Sequence, residues 1–377
     1  MRSSLNIAAF GDVHFCHHNT PSENIYSELI QAFPYSDDTK VLDIIVMEGD
    51  WWDKLMPNNH RDTYITEKAM YYLLKLCKDL DITLLIVDGT PSHDAGQAQK
   101  FKHFNEESGI NADLYFSEEV DIQYIAKHDI HVLFVPDRPS IKPHEFEERI
   151  TELLQMNHLD KVDIAVMHGC FKYQIPEIAD ELKHDEEFYQ SHVKGCIFIG
   201  HIHTASSYGK IIAPGSFSRL SHGEEEPKGH VRVTLSPDNT FQSTFIENKL
   251  ALLYKTIDVT DMGIESTFKR IKHLSNRYPD QTRIRLQCNG DHPIAQDKTY
   301  ISLKRSYPQY KWSLKINKSQ ERIQVEKIAK ETEYIPIEIN KDNVLNLLSD
   351  EFVRRGINPQ LTKTLPDYVK DLLEAIK

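Results

Sequence analysis

The chain has 377 residues, a formal net charge of -13 and 40% apolar residues, enough for a sizeable core in two domains, or in one large domain with an appendage. No apolar run approaches the ~20 residues of a membrane span, and the first residues enter a strand pattern without the basic-then-apolar stretch of a signal peptide. Five scattered cysteines with no CxxC argue against a disulfide framework and for a reducing, cytoplasmic setting.

In chain order, residues 5–10 read as a buried strand ending at Gly11-Asp12-Val13-His14. A loop and helix pattern leads to a second apolar strand, 41–47, ending at Glu48-Gly49-Asp50-Trp51-Trp52-Asp53. Ile65, Ala69, Tyr72, Leu73 and Leu76 recur at helical spacing, predicting a helix over 64–80. A third strand, 82–87, ends at Asp88-Gly89-Thr90-Pro91-Ser92-His93-Asp94. The pattern then predicts a helix over 98–107, short strands within 121–135, a helix over 144–156, a strand over 162–167 ending at His168-Gly169, and an acidic helix over 177–189. The apolar run 195–199 leaves through Gly200-His201-Ile202-His203, and Ile211 to Ser216 follow after a polar turn. Residues 229–235 and 241–246 alternate like a hairpin around Pro237-Asp238-Asn239. Strands alternating with helices and then hairpins predict a layered α/β sandwich.

Beyond residue 250 the pattern changes to strands over 250–259, 283–288 and 311–316 and helices over 265–276 and 297–305, a small α/β unit. Two amphipathic helices, 341–355 and 364–377, end the chain. Charge divides the same way. Residues 251–330 hold 16 Lys and Arg against 8 Asp and Glu, whereas the first 250 residues carry a net -18. Acidic bulk with one basic segment suits a metal site in the first part and a polyanion contact in the second.

Five strand ends thus carry metal-ligand residue types: Asp12 with His14, Asp50, Ser92-His93-Asp94, His168, and His201 with His203. In an extended segment, residues two apart share a face, so Asp12 with His14 and His201 with His203 are expected to project together. Strand C-terminal ends gather at one edge of an α/β sheet, where ligands bind. Mixed Asp/His donors suit Mn, Fe, Zn or Ni better than Ca or Mg, and seven of them suit two ions sharing a bridging carboxylate.

Asp12-x-His14, Gly49-Asp50-x-x-Asp53, His93-Asp94, His168-Gly169 and Gly200-His201-x-His203 resemble, in order, the calcineurin-type metallophosphoesterase signature over residues 5–250. Pro214-Gly215-Ser216, Glu224 to Glu226, the added α/β cap and the terminal helices make the chain most similar to SbcD-type exonuclease subunits of DNA repair complexes, compact phage versions included. The resemblance implies a four-layer α/β/β/α sandwich over 1–250, a DNA-binding α/β cap over 251–332 and a helical partner-binding segment over 333–377. It implies two divalent ions, Mn before Mg: metal one on Asp12, His14 and His203, metal two on His168 and His201, with Asp50 bridging. His93 would stand at the leaving group as a non-ligand, oriented by Asp94. Asp53 would orient ligands rather than bind metal. Where the family has Asn as a metal-two ligand, the reading places Ser92 after a short insertion; a serine hydroxyl is shorter and a poorer donor, so metal two is weak or water fills the gap. Arg283, Arg285, Lys304 and Arg305 are the expected DNA contacts. Leu348, Phe352, Tyr368 and Leu372 are the expected anchors on an SMC-like (SbcC-type) ATPase, and a homodimer is expected. A phosphatase or small-molecule phosphodiesterase of the same fold, and a non-catalytic scaffold in a repair complex, are the competing readings.

Overall fold

The computed structural model describes residues 3–317 except 177, 180, 181 and 276, and the side chain of residue 297 is likewise left aside. The first half runs β1 (Leu5–Phe10), α1 (Ser22–Ala32), α2 (Asp37–Lys40), β2 (Ile44–Met47), α3 (Arg61–Leu80), β3 (Thr83–Val87), α4 (Lys100–Glu107), β4 (Leu114–Ser117), β5 (Asp121–Ile125), β6 (Ile130–Val135) and α5 (Pro143–Met156). There follow β7 (Ile164–His168), β8 (Cys170–Phe171), β9 (Lys183–His184), α6 (Glu186–His192), β10 (Ile197–Gly200), β11 (Ser206–Tyr208), β12 (Ile211–Ala213), β13 (Gly229–Leu235) and β14 (Phe241–Glu247). The last described part is β15 (Tyr254–Asp258), α7 (Ile264–Ser275), β16 (Arg283–Cys288), α8 (Asp297–Ser306) and β17 (Lys311–Ile316).

Most expected elements are present; the short strands β8 and β11 were not expected, and two further differences have a physical reason. β4 escapes sequence reading because four residues at a sheet edge, three of them half-buried, carry too little periodicity. The helix expected over 177–189 is instead β9 followed by the short α6, which begins where the Asp185 side chain accepts the amide of Phe188 at 3.0 Å. That cap sets the helix start at Glu186 rather than at 177, since an N-cap aspartate stops a helix from extending backwards.

One six-stranded sheet has the order β14-β13-β1-β2-β3-β4, the other β11-β12-β10-β7-β6-β5. β1, β2, β3 and β4 run parallel, as do β6, β7, β10 and β12, with antiparallel strands at the edges. Alternation along each strand divides the core. Ile7, Ala9, Ile44, Val46, Leu85 and Val87 of the first sheet cluster with Val132, Phe134, Ile164, Val166 and Phe198 of the second. Their neighbours Ala8, Phe10, Ile45, Met47, Leu84 and Ile86 pack on α1 and α3 through Ile25, Leu29, Met70, Leu73 and Leu74. Leu133, Val135, Ala165 and Met167 pack on α5 through Phe146, Ile150 and Leu153. These strands are buried on both faces, which is why they read as continuous apolar runs. The fold is α/β.

β15, β16 and β17 form a third, parallel sheet with its own core of Ile257, Ile284, Leu286, Cys288, Ile271 and Leu303. It joins the loop before β13: Lys255 Nζ donates to Glu225 Oε2 at 2.8 Å, the Thr256 amide to Glu225 Oε1 at 2.8 Å, and Tyr254 Oη lies 2.9 Å from Thr20 Oγ1. The rest of the expected 251–332 domain and all of 333–377, including Leu348, Phe352, Tyr368 and Leu372, lie outside the described residues. All five cysteines are buried and no disulfide joins them. Among the described residues no helix is long and apolar enough to cross a membrane.

Two buried histidines give the fold a pH dependence. Burial lowers His184 to about 4, and burial reinforced by the Arg232 charge lowers His230 to about 3. The unfolded chain binds these protons near 6.5, so stability present above that pH is lost as pH falls towards 4 and then 3. Urea midpoints measured from pH 7 to 4 should fall by an amount corresponding to on the order of 1–3 kcal/mol per histidine. The fall should be shallower in His230→Gln.

Candidate metal centre

The loops following β1, β2, β3, β7 and β10 converge because parallel neighbours put their C-terminal ends on one edge and the two sheets face each other. The convergence does not come from extended backbone. Asp12 (φ 48°), His14 (φ 52°) and Asp50 (φ 52°) are left-handed, and His201 has φ 101°. Such conformations cost of order 1–3 kcal/mol each and persist only where surrounding bonds over-determine them. Here the amides of Val13 and His14 both donate to the Asp50 carbonyl at 2.9 and 3.0 Å, and the amide of Asp12 donates to the Gly49 carbonyl at 3.1 Å. The Asp12 carboxylate accepts the His201 amide at 2.9 Å.

Three overlapping groups of donor atoms result: Asp12, His14 and His203; His14, Asp50 and His93; and Asp50, His168 and His201. Within each, the atoms lie within 4.8 Å of one another. His14 Nε2 is 3.1 Å from His203 Nε2 and 3.7 Å from Asp50 Oδ2, and His168 Nε2 is 3.3 Å from that same oxygen. The far sides of His203 and His168 are committed elsewhere. His203 Nδ1 donates to Glu224 Oε1 at 3.0 Å, His168 Nδ1 donates to the Glu48 carbonyl at 2.5 Å, and His14 Nδ1 stands 3.5 Å from Asp53 Oδ1. A carboxylate or carbonyl can only accept, so the first two contacts place a hydrogen on Nδ1 of His203 and His168 and turn their Nε2 atoms inward.

Electrostatics agree. Burial by itself would raise the Asp50 carboxyl, but the imidazoles of His168, His14 and His93 outweigh it and hold it below the ordinary range. Burial would lower His168, yet Asp50, Asp12 and the Glu48 carbonyl lift it to about 10. Burial depresses His201, helped by the neighbouring charge of His168. His203 is raised: burial opposes this and the Glu224 carboxylate overcomes it. Beneath Asp12 and His168, the fully buried Glu48 carboxyl is pushed well up by burial and by Asp12.

Two expected roles move to other residues. Asp94 does not orient His93: its carboxyl accepts the amides of Asp50 (3.1 Å), Trp52 (2.9 Å) and Gly89 (2.9 Å), clamping the turn that carries Asp50. His93 is oriented by the Asp53 carbonyl, which accepts from Nδ1 at 2.7 Å and leaves Nε2 open. Ser92 is exposed on a turn away from the donors. Thr90 takes the position expected of it, with Oγ1 3.2 Å from His168 Nε2 and 3.3 Å from His201 Nδ1. The two-residue insertion Pro91-Ser92 therefore follows the donor position rather than preceding it. Gly89-Thr90, directly after the strand, was the signal available.

Sequence reading also gave Glu224 and Lys228 no role. Lys228 is buried, with Nζ donating to the His203 carbonyl and to Glu226 Oε1, both at 2.7 Å. Nothing local to either residue announces a partner so far back along the chain.

The four expected DNA contacts separate. Ile284, Leu286 and Cys288 of β16 face the core under α7 and α8, so Arg283 and Arg285 lie on the other face. Lys304 and Arg305 are exposed in the last turn of α8, on the covered side of the sheet.

No family model matches the chain, and no curated protein matches it. Thirty chains of solved structures do. One crystal structure overlaps with a TM-score of 0.41 at 10% identity, covering 64% of this chain and 99% of the other. The crystal structure of TT1561 of Thermus thermophilus overlaps with a TM-score of 0.37 at 12% identity, covering 64% of this chain and 99% of its own. Overlap at this level carries no inference about family or chemistry.

Proposed function

We propose that the chain is a metal-dependent phosphodiesterase of the calcineurin-like kind, a four-layer α/β/β/α sandwich acting as the DNA nuclease subunit of an SbcCD-like repair complex. The observation that carries the reading is the convergence of Asp12, His14, Asp50, His168, His201 and His203 into groups whose donor atoms lie within 4.8 Å of one another, His14 Nε2 standing 3.1 Å from His203 Nε2. The donor set fits two cations: Asp12, His14 and His203 for the first, His168 and His201 for the second, with Asp50 Oδ2 facing both. Mixed imidazole and carboxylate donors favour manganese or a similar transition ion.

Two bound ions would neutralise phosphate charge and make a water acidic enough to attack near neutral pH. The chain's own residues do the rest. Glu224 and the Glu48 carbonyl hold His203 and His168 through Nδ1, and the Asp53 carboxylate stands beside His14 Nδ1. The Asp94 clamp fixes Asp50 between the two groups. His93, held through Nδ1, presents Nε2 to give a proton to the departing oxygen. Arg283 and Arg285 offer cationic groups for a phosphate backbone.

Labelled duplex DNA and bis-p-nitrophenyl phosphate, each incubated with and without manganese, test the reading. Both should be hydrolysed only with the metal. Replacing Arg283 and Arg285 by Gln should weaken DNA binding, lower the slope of log K against log salt by roughly 0.9 per lost contact, and leave the small substrate untouched. Hydrolysis of the small substrate alone favours a small-molecule enzyme. Tight manganese binding with no hydrolysis of either favours a scaffold.

A further inference from the structure

We infer that the Thr90 hydroxyl is a protein donor to the second metal position, that this makes the second position the weaker of the two, and that the ions therefore load in sequence. The inference rests on the two-metal reading above. Its starting point is the way one residue uses two atoms. The Thr90 amide donates to Asp50 Oδ1 at 2.7 Å, which commits that oxygen and leaves Oδ2 to face His168 at 3.3 Å and His14 at 3.7 Å. The Thr90 hydroxyl then stands 3.2 Å from His168 Nε2 and 3.3 Å from His201 Nδ1.

Donors held at ~2.1 Å from one ion lie about 3.0 Å apart in an octahedron and about 3.4 Å apart in a tetrahedron. The spacings from His168 Nε2 to Asp50 Oδ2 and to Thr90 Oγ1, and from Thr90 Oγ1 to His201 Nδ1, all fall in that interval. The hydroxyl can donate to one imidazole and accept from the other, and its lone pairs equally suit a cation shared with both rings.

The asymmetry follows from the donor types. The first position has a carboxylate of its own, Asp12, two imidazoles and a share of Asp50. The second has two imidazoles, the same share of Asp50 and a neutral hydroxyl. Lacking its own anionic ligand, it binds a divalent ion less tightly.

Calorimetric titration of manganese into the full chain tests this, with electron paramagnetic resonance counting bound ions. The parent chain should show a tight and a weak class. Thr90→Val keeps the backbone amide and the branched shape but removes the oxygen; it should leave the tight class unchanged and weaken the other roughly tenfold or more. Thr90→Ser should retain both. Thr90→Val with two parental classes, or with both lost, overturns the assignment while the two-metal reading stands, and so does Thr90→Ser as impaired as Thr90→Val. A parent chain that binds no manganese overturns both.

Discussion

His93→Ala will bind manganese as the parent chain does and will lose on the order of 10²- to 10⁴-fold in phosphodiester hydrolysis, the usual worth of a positioned general acid. The ring of His93 lies edge-on to that of His14, with centroids 4.8 Å apart, and its donor atom is close enough to those of His14 and Asp50 to belong to a metal group. What argues for a proton role is its support. Asp53 offers His93 a backbone carbonyl at 2.7 Å, whereas its carboxylate stands beside His14. Each ion position has two imidazoles and a share of Asp50 without His93. Calorimetry separates the cases: a lost manganese class in His93→Ala would put this residue among the ligands. Unchanged hydrolysis would remove it from the chemistry altogether.

Gly89→Ala should abolish both manganese classes and reduce hydrolysis at least about 10²-fold, the cost of misplacing reacting groups by about 1 Å. A Cβ on Gly89 would come within 2.2 Å of the Asp50 amide and of Asp50 Oδ1, and within 2.8 Å of Asp94 Oδ2. The first is backbone, and the two carboxylate oxygens are held by the amides of Thr90, Asp50 and Gly89. The Asp50 turn must move, and it is held at once by Asp94, by Thr90 and by the amides of Val13 and His14. Because Asp50 faces both metal groups, one displacement disables both. The sheets should survive, since Gly89 lies beyond the end of β3, so the far-ultraviolet circular dichroism spectrum should be kept. Parental manganese affinities in a folded Gly89→Ala chain would show that the turn yields without moving Asp50.

Which residues could form a metal centre was determined by the sequence itself. Runs such as Leu84–Val87 and Ile197–Ile199 are apolar because both faces of those strands are covered, and their polar exits Asp12, Asp50, His168 and His201 stand out for that reason. The paired β13 and β14 and the alternation of Arg283 and Arg285 with Ile284 and Leu286 were equally legible, since a period of two is a property of the strand alone. Only the tertiary structure decided how those exits meet. Asp12 and His14 converge through left-handed turns held by Asp50's carbonyl, not through the extended geometry that their spacing suggested. Thr90 rather than Ser92 stands beside His168 and His201, and the Asp53 carbonyl rather than Asp94 meets His93, because the turn decides which atoms face the histidines without changing the composition of the motif. Glu224 reaches His203 from 21 residues further along the chain. Such contacts depend on where a backbone turns, and a turn set by bonds from several other strands leaves no local mark on its own residues.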